Sequence, residues 1–495
     1  ISGSETDTPP GEKGEVFSKA GSNGDKKVYK IKVENTTSSS ININLGVQIG
    51  LDYNDLNLPN NGHLFTEYIA KASDTIIENV GDNGGVYDDG EDTFITGKNP
   101  NNYVWYSGKL WRAVSINNSA KTTKLITQWN QTTLSDPFFY DWLNDTSVDG
   151  FLGNLREPEK FIVMDSEWNA TFANNGSTKP AKTTIIEKTV ASLNLYEYTM
   201  SYKGTTEANG YLNNNLAWLS ITQATSGNRP IGSNPNLITN ASGVRPSINL
   251  KSDVKIASGS GTESDPYRLS GDNDTDLNGV KLNTRYSGEY IRFGNDENNL
   301  YRIVSHETKN LTKITSVEPL KEAGSFKTIT FASNNYDYSL AYSSINVIGT
   351  FLNNDYLNSS NGYLTSEQVN MIEDETTWYL GSVSYGDSYK LAKYKDINMS
   401  GYATSTKAKI GLLRYGELFS GQFNKGSLNS DYWLITPNES LMNIINKTTE
   451  INISGGGSSL TTNNGIKPAL NLKENVIITS GDGTKNNPFT VELKT

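Results

Sequence analysis

Alternating apolar and polar positions mark most of the strands in this chain, and the same succession occurs twice. Tyr103-Val104-Trp105-Tyr106 and Leu110–Ser115 predict a hairpin, and Tyr290–Phe293 with Leu300–Ser305 predict a second, with a longer turn. A third strand follows each, Thr123-Lys124-Leu125-Ile126-Thr127 and Thr312-Lys313-Ile314-Thr315. Next comes a helix, ending near Phe151-Leu152 in one copy and Phe351-Leu352 in the other. A tryptophan in acidic surroundings follows: Asp165-Ser166-Glu167-Trp168, then Asp374-Glu375-Thr376-Thr377-Trp378. Leu193–Tyr198 and Leu412–Leu418 each carry a glutamate, Glu197 and Glu417, and Trp218-Leu219 is answered by Trp433-Leu434.

Each copy closes on the same cassette. Gly243-Val244-Arg245-Pro246-Ser247-Ile248-Asn249-Leu250-Lys251 returns as Gly465-Ile466-Lys467-Pro468-Ala469-Leu470-Asn471-Leu472-Lys473. The spacing holds through Asp265-Pro266-Tyr267 and Asn487-Pro488-Phe489, so this is an internal duplication. Residues shared by the cassettes are mostly Gly, Pro, Asn and aliphatics, which a fold requires more than a reaction does. Arg112 and Arg302 stand apart, and a carboxylate is the expected partner of each. Short strands with helices and long loops between them give an α+β, β-rich fold.

Ahead of the first copy, Val28–Gly50 alternates as a hairpin, and Leu64–Ile77 has the 3–4 spacing of a short amphipathic helix. Gly81–Gly97 reads as a loop carrying the acidic run Asp88–Asp92. The expected organisation is a flexible tail at 1–26, an N-terminal β-hairpin/helix module at 27–98, copies at 99–270 and 288–495, and a linker at 271–287. A lone hairpin is marginal in water. Val28–Gly50 therefore needs cover, from the first copy or from a strand that a neighbouring subunit donates.

Composition narrows the chemistry. The chain of 495 residues has no cysteine, which removes disulfides, thiolate metal sites and cysteine nucleophiles. A net charge of −11 disfavours nucleic acid and anionic membrane as partners. No apolar run approaches the roughly 20 residues of a membrane helix. The sequence starts at Ile1, so any leader or anchor is expected outside it.

Candidate sites are few. His63 and His306 have no second histidine at metal-binding spacing, and no Ser-His-Asp motif is present. Asp165 and Glu167 beside Trp168, with Asp374 and Glu375 beside Trp378, have the form of acid pairs next to a sugar-stacking ring. The alternative is a solvated edge with the indole in the core. Asp272, Asp274 and Asp276 open like a calcium loop, but Leu277 and Asn283 stand where such a loop wants Gly and Glu. A solvated linker is the alternative there, as it is for Asp88–Asp92. Calcium is the one cofactor left open. Asn-x-Ser/Thr sequons recur, among them Asn35, Asn130, Asn240, Asn310 and Asn446, and abundant Asn produces them by chance.

The Trp-Arg hairpin, Leu412–Glu417, Trp433-Leu434 and Gly243-Val244-Arg245-Pro246 together resemble the C-type-lectin-like fold in its bacterial form. That form is similar in fold to formylglycine-generating enzymes and occurs in secreted surface proteins of Firmicutes. The resemblance spans roughly 100–495 and implies two tandem lectin-like domains. The cysteine pair those enzymes use is missing, so their oxidase chemistry is excluded. The resulting expectation is a secreted or cell-surface, non-enzymatic adhesin or a pilus-like filament subunit. Its partner would be a glycan or protein of a host or neighbouring cell, or further copies of itself. The rival expectation is a carbohydrate-binding or glycan-processing protein using the Asp/Glu groups beside Trp.

Overall fold

The structure, a computed structural model, describes residues 71–128, 132–134, 139–146, 150–213, 218–223, 228–231, 242–271, 277–306, 308–334, 342–380, 405–414, 417, 431–438, 441–445 and 455–494. All lie in one compact unit, Ile69–Thr495. The 1–26 tail, the Val28–Gly50 hairpin, His63 and the triad Asp272, Asp274 and Asp276 lie outside the described residues.

The fold is β-rich, and its helices are short. The first described element is helix α1 (Ala72–Glu78), which buries Ala72 and Ile76. It is the C-terminal part of the expected 64–77 helix. The stretch expected as a loop at 81–97 is instead a hairpin of β1 (Gly84–Asp88) and β2 (Asp92–Gly97), paired antiparallel. Its alternation was hidden by Gly84-Gly85 and by the acidic turn. Asp88 Oδ1 accepts from Gly90 N at 2.8 Å, and Asp89 Oδ1 accepts from the amides of Glu91 and Asp92 at 2.9 Å each, which fixes that turn.

β3 (Tyr103–Tyr106) and β4 (Lys109–Asn117) form the expected hairpin. β2 pairs with the far end of β4, so the boundary expected at residue 98 falls inside one continuous sheet. β5 (Thr123–Thr127) lines the other edge of β4, and the cassette strand Ser247–Leu250 pairs with β5. The second copy repeats these pairings with Tyr290–Arg292, Leu300–Ser305, Thr312–Ser316 and Ala469–Leu472. A bulge recurs at the same place, between Ala113 and Ser115 and between Ile303 and Ser305.

The expected linker is partly structural. Lys281 bridges to Ile477, as Lys71 bridges to Lys255, and these two partners match in the cassettes. Each copy therefore begins earlier than its hairpin, with α1 in the first and the turn Leu282–Thr284 in the second. Arg285 and Glu289 form a buried ion pair at 2.6 Å in that opening segment.

One apolar core contains residues of both copies. Where they meet, Gly108 (φ +68) turns β3 into β4, and a Cβ there would lie 2.4 Å from Ser287 O. Only glycine permits that approach. Around it, an Arg302 terminal nitrogen donates to Gly108 O at 3.2 Å, Arg268 pairs with Asp482 at 2.9 Å, and Lys109 is fully buried.

Arg112 and Arg302 remain inside. Arg112 Nε donates to Asn102 Oδ1 at 2.7 Å and the guanidinium stacks 3.6 Å from the Tyr103 ring centre. Arg302 Nε donates to Gly288 O at 2.7 Å and lies 4.6 Å from the Tyr290 ring. Amide, carbonyl and ring acceptors stand where carboxylates were expected, because these positions sit on central strands.

Candidate functional site

β5 and the short helix Leu195–Met200 build the site in the first copy. Asn194 caps that helix and forms a capping box with Glu197: Asn194 Oδ1 accepts from Glu197 N at 2.9 Å, and Glu197 Oε2 accepts from Asn194 N at 2.8 Å. The remaining oxygen, Oε1, meets Lys124 Nζ in an ion pair. Lys124 Nζ also lies 5.0 Å from the centre of the Trp168 ring. Amine, carboxylate and indole thus form one cluster.

The second copy repeats the cluster. Lys313 Nζ meets Glu417 Oε1 at 2.5 Å, Glu417 Oε2 accepts from Arg414 N at 3.1 Å, and Lys313 lies 4.9 Å from the Trp378 ring. An Arg414 terminal nitrogen adds a second cation 3.1 Å from Glu417. Trp168 Nε1 donates to Lys188 O at 2.8 Å, and Trp378 Nε1 donates to Ala408 O at 3.0 Å.

The clusters differ in access. Lys124 and Glu197 side chains are 18% and 10% exposed, whereas Lys313 and Glu417 are 3% exposed each. The first pair opens onto a cleft of about 320 Å³, lined also by Asp92, Glu167, Tyr196 and Asn249. Two lysines from the 170–185 stretch close one wall. Lys179 contacts Asp89 at 2.8 Å and Glu91 at 3.1 Å, and Lys182 pairs with Glu91. Tyr196 donates its hydroxyl to Asp89 Oδ2 at 3.0 Å.

Burial and charge set the protonation of these groups. Burial raises the Asp92 carboxyl above its usual range, with Lys124 opposing and Glu197 assisting. Burial acts against the charged form of Asp89 too, but the Lys179 ammonium, two backbone amides and the Tyr196 hydroxyl hold it low. The hydrogen bond from Lys182 lowers Glu91, with Lys179 adding to it. Lys124 would be lowered by burial, yet Glu197 and Asp92 outweigh that and raise it.

The residues expected to bind ligand separate. Trp168 and Trp378 are each 1% exposed, so neither offers a ring face to a sugar. Asp165 is exposed, in a left-handed turn (φ +54), and is absent from the cleft wall, while Glu167 lines it. Asp374 and Glu375 are tied to Lys409 and Lys407 at 3.0 Å each on the surface. The acidic run Asp88–Asp92 is held by lysines and turn amides. His306 is engaged by the carbonyls of Leu311 and Arg285. Among the described residues no group of three or more His, Asp or Glu could hold a metal ion.

Lys124 and Lys313 are central, and the alternation pattern marked them only as strand residues. Their signal was present: a lysine at the same position of the same strand in both copies. Comparison with protein-family models, curated proteins and solved structures finds no match. No described helix is long and apolar enough to cross a membrane.

Proposed function

We propose that the chain is a non-enzymatic extracellular surface protein, an adhesin or filament subunit, built from two tandem lectin-like domains. On this reading the first domain uses its cleft to hold a polar ligand of a neighbouring cell or host. The second domain keeps the same cluster closed and serves as scaffold. The observation carrying this reading is the contrast in access between two otherwise equivalent Lys–Glu–Trp clusters. A copy that opens its core cluster onto a polar cleft is fitted to contact a ligand. Asp89 and Glu91 are each held by lysine, an arrangement suited to hydrogen bonding with hydroxyl or amide groups more than to proton transfer.

Glu167 lines the cleft and Asp165 does not, which favours binding over the glycan-processing alternative built on that acid pair. A glycan and matrix-protein array, run with and without calcium, tests the binding reading. We expect hits that weaken about tenfold or more when Lys179 and Lys182 are both replaced by Ala, a loss of roughly 1.4 kcal/mol. In parallel, polysaccharide turnover that disappears on Glu167→Gln, with Asp165→Asn as control, overturns the non-enzymatic reading.

A further inference from the structure

The cluster has a fourth member in each copy. The unbroken ladder between the third strand and the cassette strand places Asn249 directly across from Lys124. Asn471 stands across from Lys313 in the same way. Directly opposed residues on antiparallel strands share a face, with Cβ atoms about 4.5–5.5 Å apart. The asparagines are 9% and 2% exposed, inside a strand whose residues are all buried. Lys124, Glu197 and Asn249 also line the same cleft.

We propose that each copy closes an intramolecular isopeptide bond, Lys124 to Asn249 and Lys313 to Asn471. The reaction needs an amine, a carboxamide and a group that moves protons between them. Glu197 and Glu417 touch the amines, and backbone amides at their second oxygens hold them in place. The indoles of Trp168 and Trp378 cover the amines from one side. The charged pair is the resting state, since Glu197 and Asp92 hold the Lys124 ammonium, and a proton passing transiently from the ammonium to the glutamate makes the neutral, nucleophilic Nζ. The amine attacks Asn Cγ. The glutamic acid protonates the departing amide nitrogen, and the glutamate takes the second proton from Nζ. Cγ–Nζ forms, Cγ–Nδ2 breaks, and ammonia leaves. Electrons and protons balance with no oxidant or further reactant.

The copies differ where the bond would not care. Asn471 Nδ2 donates to Thr376 Oγ1 at 3.0 Å, whereas Ser166, at the position matching Thr376, donates its hydroxyl to Val163 O. The hydrogen bond of the asparagine is therefore not what the copies share. They share the opposed lysine and the glutamate on it. Such a bond ties the third strand of each copy to its closing cassette, a tether suited to a chain under pulling force.

Intact-mass spectrometry of the full chain tests this directly. The expected mass lies below the sequence mass by one ammonia per bond, about 17 Da each and about 34 Da in all. Tryptic mapping should give linked peptides joining Lys124 to Asn249 and Lys313 to Asn471. Glu417→Gln should restore about half of the deficit, with the bond in the first copy as internal control. Asn471→Ala should do the same. An intact mass equal to the sequence mass overturns the proposal, whether or not the variants fold. So does a deficit that maps to a succinimide at an Asn-Gly step rather than to linked peptides.

Discussion

The two copies make the same pairings around the same cluster, yet they solve one buried-cation problem with different residues. In the first copy Arg245 is 0% exposed, with Nε donating to Thr127 O and one terminal nitrogen to Leu212 O, both at 2.7 Å. Its guanidinium lies 5.4 Å from the Trp218 ring. Burial pushes it down to about 9, which leaves it charged at neutral pH. The second copy has Lys467, 1% exposed and 4.9 Å from the Tyr432 ring, and burial pushes it down to about 7. A guanidinium spreads its charge over several donors and tolerates burial, whereas a compact ammonium gives up its proton. The cassette thus needs a long basic stem at this position, and its charge is negotiable in the second copy.

The largest expected effect follows from titration. Lys109, buried where the copies meet, is also pushed down to about 7, by burial first and then by the charge of Arg302. An unfolded lysine titrates near 10.4. Below pH 7 both states hold these protons, and the folded state carries the full cost of burying two ammonium groups. From pH 7 to about 10 the folded lysines release protons that the unfolded chain still binds, so stability rises with pH. The slope is about 1.4 kcal/mol per lysine per pH unit. Above about 10 the sign reverses, because burial holds Tyr211, Tyr301 and Tyr342 protonated in the fold while the unfolded chain loses those protons. Urea midpoints measured from pH 6 to 10.5 should peak between about 9 and 10. Lys109→Met and Lys467→Met should each flatten the rise, and a curve already flat from pH 7 to 9 in the parent chain refutes the assignment.

Truncating the cations sharpens the contrast at somewhat smaller cost. Arg245→Met leaves Thr127 O and Leu212 O without their buried donor, a loss of about 3 kcal/mol. Lys467→Met at pH 8, where the amine is already mostly neutral, should cost less than about 1.5 kcal/mol. Equal losses in the two copies, by chemical denaturation, would contradict the idea that only the first copy depends on the charge.

Much of this contrast could be read from the residues. The duplication, the Tyr103–Ser115 hairpin and the cassette strands followed from alternation and spacing, because a half-buried strand imprints its period on the sequence. That the cassette cation can be exchanged was also legible, since Lys467 stands where Arg245 does. Other features were not. The β1–β2 hairpin was masked by Gly84-Gly85 and by an acidic turn whose side chains serve their own backbone. Beside the two tryptophans the pattern left two readings, and the structure puts both indoles in the core, with Glu167 lining the cleft and Asp165 outside it. The Lys124–Asn249 opposition depends on strand register over a long separation, which no local pattern encodes.

The smallest contrast lies beneath the two indoles. Ala191 bridges Ser247 in the first copy, and Gly411 pairs with Ala469 at the matching place in the second. Ala191 packs with Trp168, Ala170 and Ile221, so a methyl group fits under that ring. At Gly411 a Cβ would lie 2.5 Å from Trp378 Cδ2 and 2.6 Å from Cε3. Gly411→Ala should therefore overpack the second copy by about 2 kcal/mol. Ala191→Gly should cost about 1 kcal/mol, from the freer unfolded chain and the lost methyl contact. The ring identifies the cause. Trp378→Ala removes the ring that the new methyl meets, so Gly411→Ala added to Trp378→Ala should cost well under its value in the parent chain. The comparison is a double-mutant cycle by urea denaturation, with an expected coupling of about 1 kcal/mol. A coupling near zero would place the strain in the backbone at Gly411 rather than under the indole.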